Sequence, residues 1–272
     1  MVGREVMFRV EKPQVSLGEP VLEVNRLVAR NDRGQTSLNK LSLSVRSGEL
    51  VGIAGISGNG QKELFECIIG VRHAEAGEII LSGEPITNRH PREISGKGIS
   101  HIPEDRLKEG IVPDFSVSEN LILGLHHDRF FRADGWVLDR KGVENFASDC
   151  IRDFEIVTPS ARQTTRNLSG GNIQKVVLAR ELSKQPACLI ANMPTRGLDV
   201  GAIEYVHNRL LKQCQLGTGI LLFSDDLDEI LNLADRILVI FKGSIVGELA
   251  PATASRKEIG LLMAGSLEGV NG

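Results

Sequence analysis

Aromatic side chains make up only 4% of the 272 residues, with a single Trp (Trp136) and a single Tyr (Tyr205). That excludes a stacking platform for single-stranded nucleic acid. An excess of one charge is also missing: the formal net charge is −3, which indicates neither a dedicated nucleic-acid binder nor a polybasic membrane-surface protein. The four cysteines, Cys67, Cys150, Cys188 and Cys214, form no CxxC pair and have no accompanying His cluster, so zinc and redox motifs are absent. Scattered thiols in apolar surroundings point to a reducing compartment. The longest apolar runs, such as Gly219–Phe223 and Ile237–Phe241, fall far short of the roughly 20 residues a membrane-crossing helix needs. Arg4, Glu5, Arg9, Glu11 and Lys12 charge the first stretch, which lacks the apolar core of a secretory signal. A membrane process served by this chain is served from outside the bilayer. No internal repeat is visible.

Residues 1–20 read as an extended leader, either a disordered tail or a linker between domains, with Pro13, Gly18 and Pro20 breaking it. Val21–Val28 and Leu38–Val45 alternate as strands around the turn signal Asn31-Asp32-Arg33-Gly34, which predicts an antiparallel hairpin. Leu50–Ala54 is a short apolar strand, followed by Gly55-Ile56-Ser57-Gly58-Asn59-Gly60 and then a helical pattern with Leu64, Phe65, Ile68 and Ile69 on one face. Strand, glycine-rich turn and helix open a nucleotide-binding α/β fold. From about residue 105 to 165 helical periodicity dominates, as in an inserted lobe. A capped helix is predicted over Asn167–Leu182, and Ala187–Ala191, Gly219–Phe223 and Ile237–Phe241 fit buried parallel strands.

A phosphate-binding loop needs glycines where the chain turns tightly, so that backbone N–H groups converge on the anion at a helix start. Gly55, Gly58 and Gly60 match the first part of G-x-x-x-x-G-K-[ST]. The next two positions are Gln61 and Lys62 instead of Lys and a hydroxyl residue. Gln61 can hydrogen-bond a phosphate but brings no charge, and Lys62 is rotated by about 100° along the helix from the lysine position. This loop alone does not separate a phosphate site from a plain strand–turn–helix corner. A second motif does. Leu168-Ser169-Gly170-Gly171-Asn172 opens a helix, placing a hydroxyl and exposed N–H groups at the positive end of its dipole. Cys188-Leu189-Ile190-Ala191-Asn192-Met193-Pro194-Thr195-Arg196-Gly197-Leu198-Asp199 follows.

Over residues 21–250 this combination resembles the nucleotide-binding domain of an ATP-binding cassette transporter. The stretches Gly58-Asn59-Gly60-Gln61 and Ile102-Pro103-Glu104-Asp105-Arg106 are similar to the C-terminal half of the tandem ATPases that serve simple-sugar and nucleoside importers, with riboflavin-type importers as near relatives. The leader Val2–Val6 resembles the junction between two such cassettes. The resemblance implies an α/β P-loop NTPase (RecA-like) core with an antiparallel β subdomain and an inserted α-helical subdomain. Residues 1–20 would then be a linker from a preceding cassette and 251–272 a C-terminal tail. The implied nucleotide-binding (Walker A) loop is Gly55–Lys62, the signature Leu168–Asn172, the Q-loop position Glu104 and the D-loop residue Asp199. No metal ligand set is implied.

The same resemblance exposes departures. The Walker A lysine position holds Gln61, the magnesium-hydroxyl position Lys62, the Walker B aspartate position Asn192, the general-base position Met193 and the switch-histidine position Asp225. No aromatic lies near Asn31–Arg33, where the family stacks an adenine. Phosphoryl transfer relies on positioning and on electrostatic stabilisation by metal and cations, and Met193 has no proton-accepting group. The implied role is asymmetric. ATP binds this chain's own site weakly or not at all, while Ser169, Gly170 and Gly171 complete a Mg-ATP site on an N-terminal cassette of the same polypeptide, with Asp199 coupling the two. Permease subunits, and indirectly a substrate-binding lipoprotein, are the other implied partners, at the cytoplasmic face of the inner membrane; no nucleic acid is implied. A purely structural cassette that binds no nucleotide is the alternative. A repair or translation cassette would need long coiled coils or a basic face, and neither appears.

Other residues have plainer readings. Glu104 is either near the permease-facing groove or a solvated loop carboxylate. Asp225 is either a divergent switch residue or the N-cap of a helix over Asp226–Leu233. Asp226, Asp228 and Glu229 support that helix start. His101, His126 and His127 have no matching ligands and read as surface or core-edge residues.

Overall fold

The computed structural model describes residues 15–125, 132–133 and 137–266. Val2–Val6, His126, His127 and Trp136 lie outside them, as do most of the leader and the last six residues. Strands β1 (Pro20–Arg30) and β2 (Thr36–Arg46) pair antiparallel across the Asn31–Gly34 turn. Their buried residues are Leu22, Val24, Leu27 and Ala29 on one strand and Leu38, Leu41, Leu43 and Val45 on the other. Each set changes parity once. A bulge at Arg26 (φ 51°) and another at Lys40 (φ 51°) supply the extra residue that keeps the apolar face inward.

Strand β3 (Leu50–Ala54) is buried throughout and leads through the glycine loop into α1 (Gln61–Ile68). Strands β4 (Ala76–Leu81) and β5 (Glu84–Pro85) complete a four-stranded sheet in the order β2-β1-β4-β5. Helix α2 (Pro91–Gly96) then precedes β6 (Ile99–Ile102).

The inserted segment begins with a π-helical turn at Arg106–Gly110 and α3 (Val117–Leu121), whose start is fixed by a capping box of Ser116 and Glu119. A short pair, β7 (Arg132–Ala133) and β8 (Val137–Leu138), precedes α4 (Arg140–Asp153). This lobe has its own core of Val117, Leu121, Ala147, Cys150 and Ile156, to which Val176 and Ala179 of α5 (Gly170–Leu182) contribute. Asn120, fully buried, pins the lobe by bonding the Val112 N–H (2.8 Å) and the Thr165 hydroxyl (2.9 Å). Helix α5 starts later than the Asn167 expected from sequence, because Thr165–Asn167 forms a separate 3-10 turn and Ser169 is the cap.

The chain then builds the main sheet: β9 (Cys188–Asn192), α6 (Val200–Gln215), β10 (Gly219–Phe223), α7 (Leu227–Leu233), β11 (Arg236–Phe241), β12 (Ser244–Leu249) and α8 (Arg256–Met263). The order is β12-β11-β3-β10-β9-β6, with β12 antiparallel at one edge and the other five strands parallel. The parallel strands are apolar runs because helices cover both faces. Ile259 and Leu262 of α8 pack into the main core, so the folded unit continues past residue 250. Ile173, Val177, Leu178 and Leu182 of α5 join the same core. All four cysteines are buried and none is in a disulfide, and burial pushes the thiols of Cys67, Cys150 and Cys188 up to about 12. Among the described residues no helix is long and apolar enough to cross a membrane.

Candidate nucleotide site

Four loops leave the carboxyl edge of the main sheet side by side. Ile53, Phe223 and Asn192 are aligned across β3, β10 and β9, and Ile102 of β6 stands beside Ala191. The loops that follow carry Gly55–Gly60, Ser224–Asp226, Met193–Asp199 and Glu104–Arg106. Ligands of open parallel sheets bind at this edge.

The first loop needs its glycines. Gly60 has φ +111°, and a Cβ there would lie 2.8 Å from the Ser37 carbonyl oxygen. Asn59 ties the loop to the β11–β12 turn: its Oδ1 accepts from Lys242 N (2.8 Å) and its carbonyl from Gly243 N (2.9 Å). Gln61, which sequence reasoning placed where it could meet a phosphate, turns back into the loop. Its Nε2 donates to Ile56 O (3.1 Å) and its Oε1 accepts from Asn59 N (3.1 Å). Lys62 points elsewhere, as its helical offset predicts. Its Nζ lies 3.2 Å from Asp32 and 3.7 Å from Glu66. The hydrogen bond to Asp32 is the main cause that raises the Lys62 ammonium above its ordinary range. Asp32 also takes Arg72 at 2.5 Å and is held low by Arg72 first and Lys62 second. An ionic cluster thus stands at the β1–β2 turn.

At the end of β9, Asn192 pairs alongside Phe223, and Met193 (φ 47°) donates its N–H to the Phe223 carbonyl (2.8 Å). Neither side chain offers a charge. Asp225 is exposed and is not the helix cap; Asp226 caps α7 by accepting from Asp228 N (2.8 Å). The N-cap alternative for Asp225 is therefore corrected, because the helix begins one residue later, at Leu227. Asp228 pairs with Arg256, joining α7 to α8.

The signature segment has its own geometry. Ser169 is exposed and caps α5, with its Oγ receiving Asn172 Nδ2 at 3.0 Å. Asn172 Oδ1 in turn accepts from Val157 N (2.8 Å), so this side chain serves the lobe. Gln174, buried, donates to Pro194 O (2.8 Å) and ties α5 to the segment after β9. Glu104 is a solvated loop carboxylate, its side chain 42% exposed, and it forms an ion pair with Arg196. Arg106 donates to the carbonyls of Arg196 (2.7 Å) and Gly197 (3.3 Å), and its Nη2 lies 2.9 Å from the place a Gly170 Cβ would occupy. Glu104 and Arg106 are therefore bound to residues 196–197, and the Arg106 guanidinium lies against Gly170. Asp199 caps α6 by accepting from Ala202 N (2.9 Å).

Sequence reasoning missed a buried polar link behind this edge. Glu229 is 4% exposed, and its Oε1 receives Thr195 Oγ1 (2.8 Å) and lies 2.8 Å from His207 Nε2. Glu229 was read as a helix-start charge, but its side chain bridges α6, α7 and the Met193–Asp199 loop. The available signal was its place beside Ile230 and four residues before Leu233, on the inward face of α7. His101 is a core-edge residue whose ring meets Phe65 edge-on at 5.9 Å, and burial lowers its pKa. Among the described residues no group of acidic, His or Cys side chains is arranged to hold a metal ion.

The profile of the family described as ABC transporter matches residues 38–196. The chain belongs to the ABC transporter family. Curated relatives of this cassette include the guanosine import ATP-binding protein NupO of Bacillus subtilis, 46% identical over 98% of this chain and 52% of that protein. The glucose import ATP-binding protein TsgD13 of Haloferax volcanii is 47% identical over 97% of this chain and 48% of its own length. The cassette spans about half the length of the curated relatives it matches. Among solved structures, a nucleotide-free ATP-binding cassette from an ABC transporter superposes with a TM-score of 0.72 at 23% identity, covering 90% of this chain and 95% of the other. A dimeric cassette in a post-hydrolysis state, bound to ADP and phosphate, superposes with a TM-score of 0.70 at 22% identity, over 85% and 98%. The fold is that of the ABC ATPases, a P-loop NTPase. The family binds ATP.

Proposed function

We propose that this chain is the C-terminal of two cassettes in an import ATPase for a small polar solute, a nucleoside, simple sugar or riboflavin-like molecule, and that its own ATP site is degenerate. Its signature residues, Ser169, Gly170 and Gly171, would close the Mg-ATP site built on the N-terminal cassette, and Asp199 would link the two sites. The observation that carries this is the asymmetry of the edge. Asn192 and Met193 stand uncharged at the end of β9, where a metal-ordering carboxylate and a base are needed. The signature helix is meanwhile capped by an exposed Ser169. Relatives about twice this length, named for guanosine and glucose import, support the tandem arrangement and the solute class. Permease subunits, a substrate-binding lipoprotein acting through them and a peripheral position on the cytoplasmic face of the inner membrane complete the proposal.

Phosphate release from Mg-ATP by the pure chain tests it. Turnover is expected at background level, and robust magnesium-dependent release would refute the degenerate site. The Gln61 amide lying inside the glycine loop favours a second reading, a cassette that holds no nucleotide. Titration of ATP with and without magnesium separates the two.

A further inference from the structure

A phosphate loop is receptive when its N–H groups converge on an empty concavity. In this chain one of those donors is already engaged. Asn59 N–H is shared between Gln61 Oε1 (3.1 Å) and, less closely, Ile56 O (3.3 Å), and the Gln61 Nε2 closes the ring onto Ile56 O (3.1 Å). The amide lies against the first glycine, since a Cβ on Gly55 would stand 2.6 Å from Gln61 Nε2. Asn59 is immobilised on its other sides. Its Nδ2 donates to Ile56 O (2.9 Å), and its Oδ1 and carbonyl are held by Lys242 N and Gly243 N. The Asn59 peptide is therefore held by its neighbours, and Gln61 Oε1 is the nearer of the two acceptors that its N–H meets, so a ligand has to displace the Gln61 amide to reach that donor.

The residue type matters here. A lysine ammonium carries donors only and has no acceptor to offer Asn59 N–H. A glutamine amide has both, and so imitates a phosphate oxygen for the donor while satisfying the neighbouring carbonyl. An intramolecular group of this kind competes at a high effective concentration with anything arriving from solution.

We propose that the Gln61 carboxamide is a self-supplied occupant of this chain's phosphate loop, and that it sets the loop against binding di- and triphosphates. The inference rests on the reading of Gly55–Lys62 as a phosphate loop. It makes a prediction of opposite sign from the usual one: deleting a phosphate ligand weakens binding, whereas deleting this side chain strengthens it.

The test is calorimetric titration of inorganic tripolyphosphate, and separately of ADP, without metal, into the chain and two variants. Gln61→Ala is expected to bind both about tenfold more tightly than wild type, the equivalent of two ordinary hydrogen bonds no longer displaced. Gln61→Glu keeps an acceptor for Asn59 N–H but adds negative charge, and is expected to bind no better than wild type. Should the alanine variant fail to fold, Gln61→Met, which keeps the length and lacks the amide, carries the same expectation. An alanine or methionine variant no tighter than wild type overturns the proposal and leaves the degenerate-site reading standing. Phosphate release from Mg-ATP by the wild-type chain overturns that reading and leaves this comparison intact.

Discussion

Replacing Thr195 by Val removes one hydroxyl at almost constant volume from the segment that joins β9 to α6. The hydroxyl donates to Glu229 Oε1 at 2.8 Å, and His207 shares the same oxygen. The other carboxylate oxygen is buried with no hydrogen-bond partner. After the substitution the buried carboxylate keeps a single donor. A hydrogen bond to a charged group contributes about 1.5–3 kcal/mol. Thr195 is only half-buried, so water recovers part of the loss, and the lower end, about 1.5 kcal/mol, is the expected destabilisation. Urea unfolding, read as a shift in midpoint at constant slope, measures it. A cycle with Glu229→Ala isolates the pair, and a coupling of about 1 kcal/mol is expected for residues in direct contact. A loss below about 0.5 kcal/mol in Thr195→Val, or strict additivity in the cycle, would refute the claim that Glu229 anchors this loop.

Two further perturbations probe other parts of the fold. Gly60→Ala places a Cβ 2.8 Å from the Ser37 carbonyl at a φ of +111°, and should cost at least about 2 kcal/mol by denaturant titration; a cost under 1 kcal/mol would show that the loop gives way. Glu181 supplies a pH test: burial alone would raise its carboxyl, but Arg180 (2.7 Å) and Lys184 (2.6 Å) outweigh that and take it from the ordinary 4.5 down to about 2. The folded value lies below the unfolded one, so the stabilisation is full above about pH 4.5 and is lost as pH falls from there toward 2. Glu181→Gln should therefore flatten the stability–pH slope in that window, and equal slopes for wild type and variant would contradict the assignment.

How much of this was legible beforehand differs by scale. β3 and β10 are bounded as their apolar runs predicted, because parallel strands covered on both faces announce themselves by composition. The bulges at Arg26 and Lys40 were not legible. They answer to cross-strand register, which no single strand reveals. The Asp226 cap and the late start of α5 differ from expectation by one to three residues, the scale on which competing polar side chains decide where a helix begins. The orientation of Lys62 followed from helical geometry alone, whereas its pairing with Asp32 required β1–β2 and α1 to meet. Glu229, Thr195 and His207 are remote in sequence, and only the sheet's parallel order brings them together. The inward turn of Gln61 depends on a side-chain choice that periodicity does not encode.

Helix α5 belongs to two interiors at once. Val176 and Ala179 are set in the core of the inserted lobe, and Val177 and Leu178 in that of the sheet. The lobe is consequently not a pendant on a hinge but shares a keel with the hull. Tilting it either drags that keel along, and with it the hydroxyl at its prow, or shears one of two dry seams packed without slack. Small residues such as Ala179 along those seams would then govern how far the tilt can go.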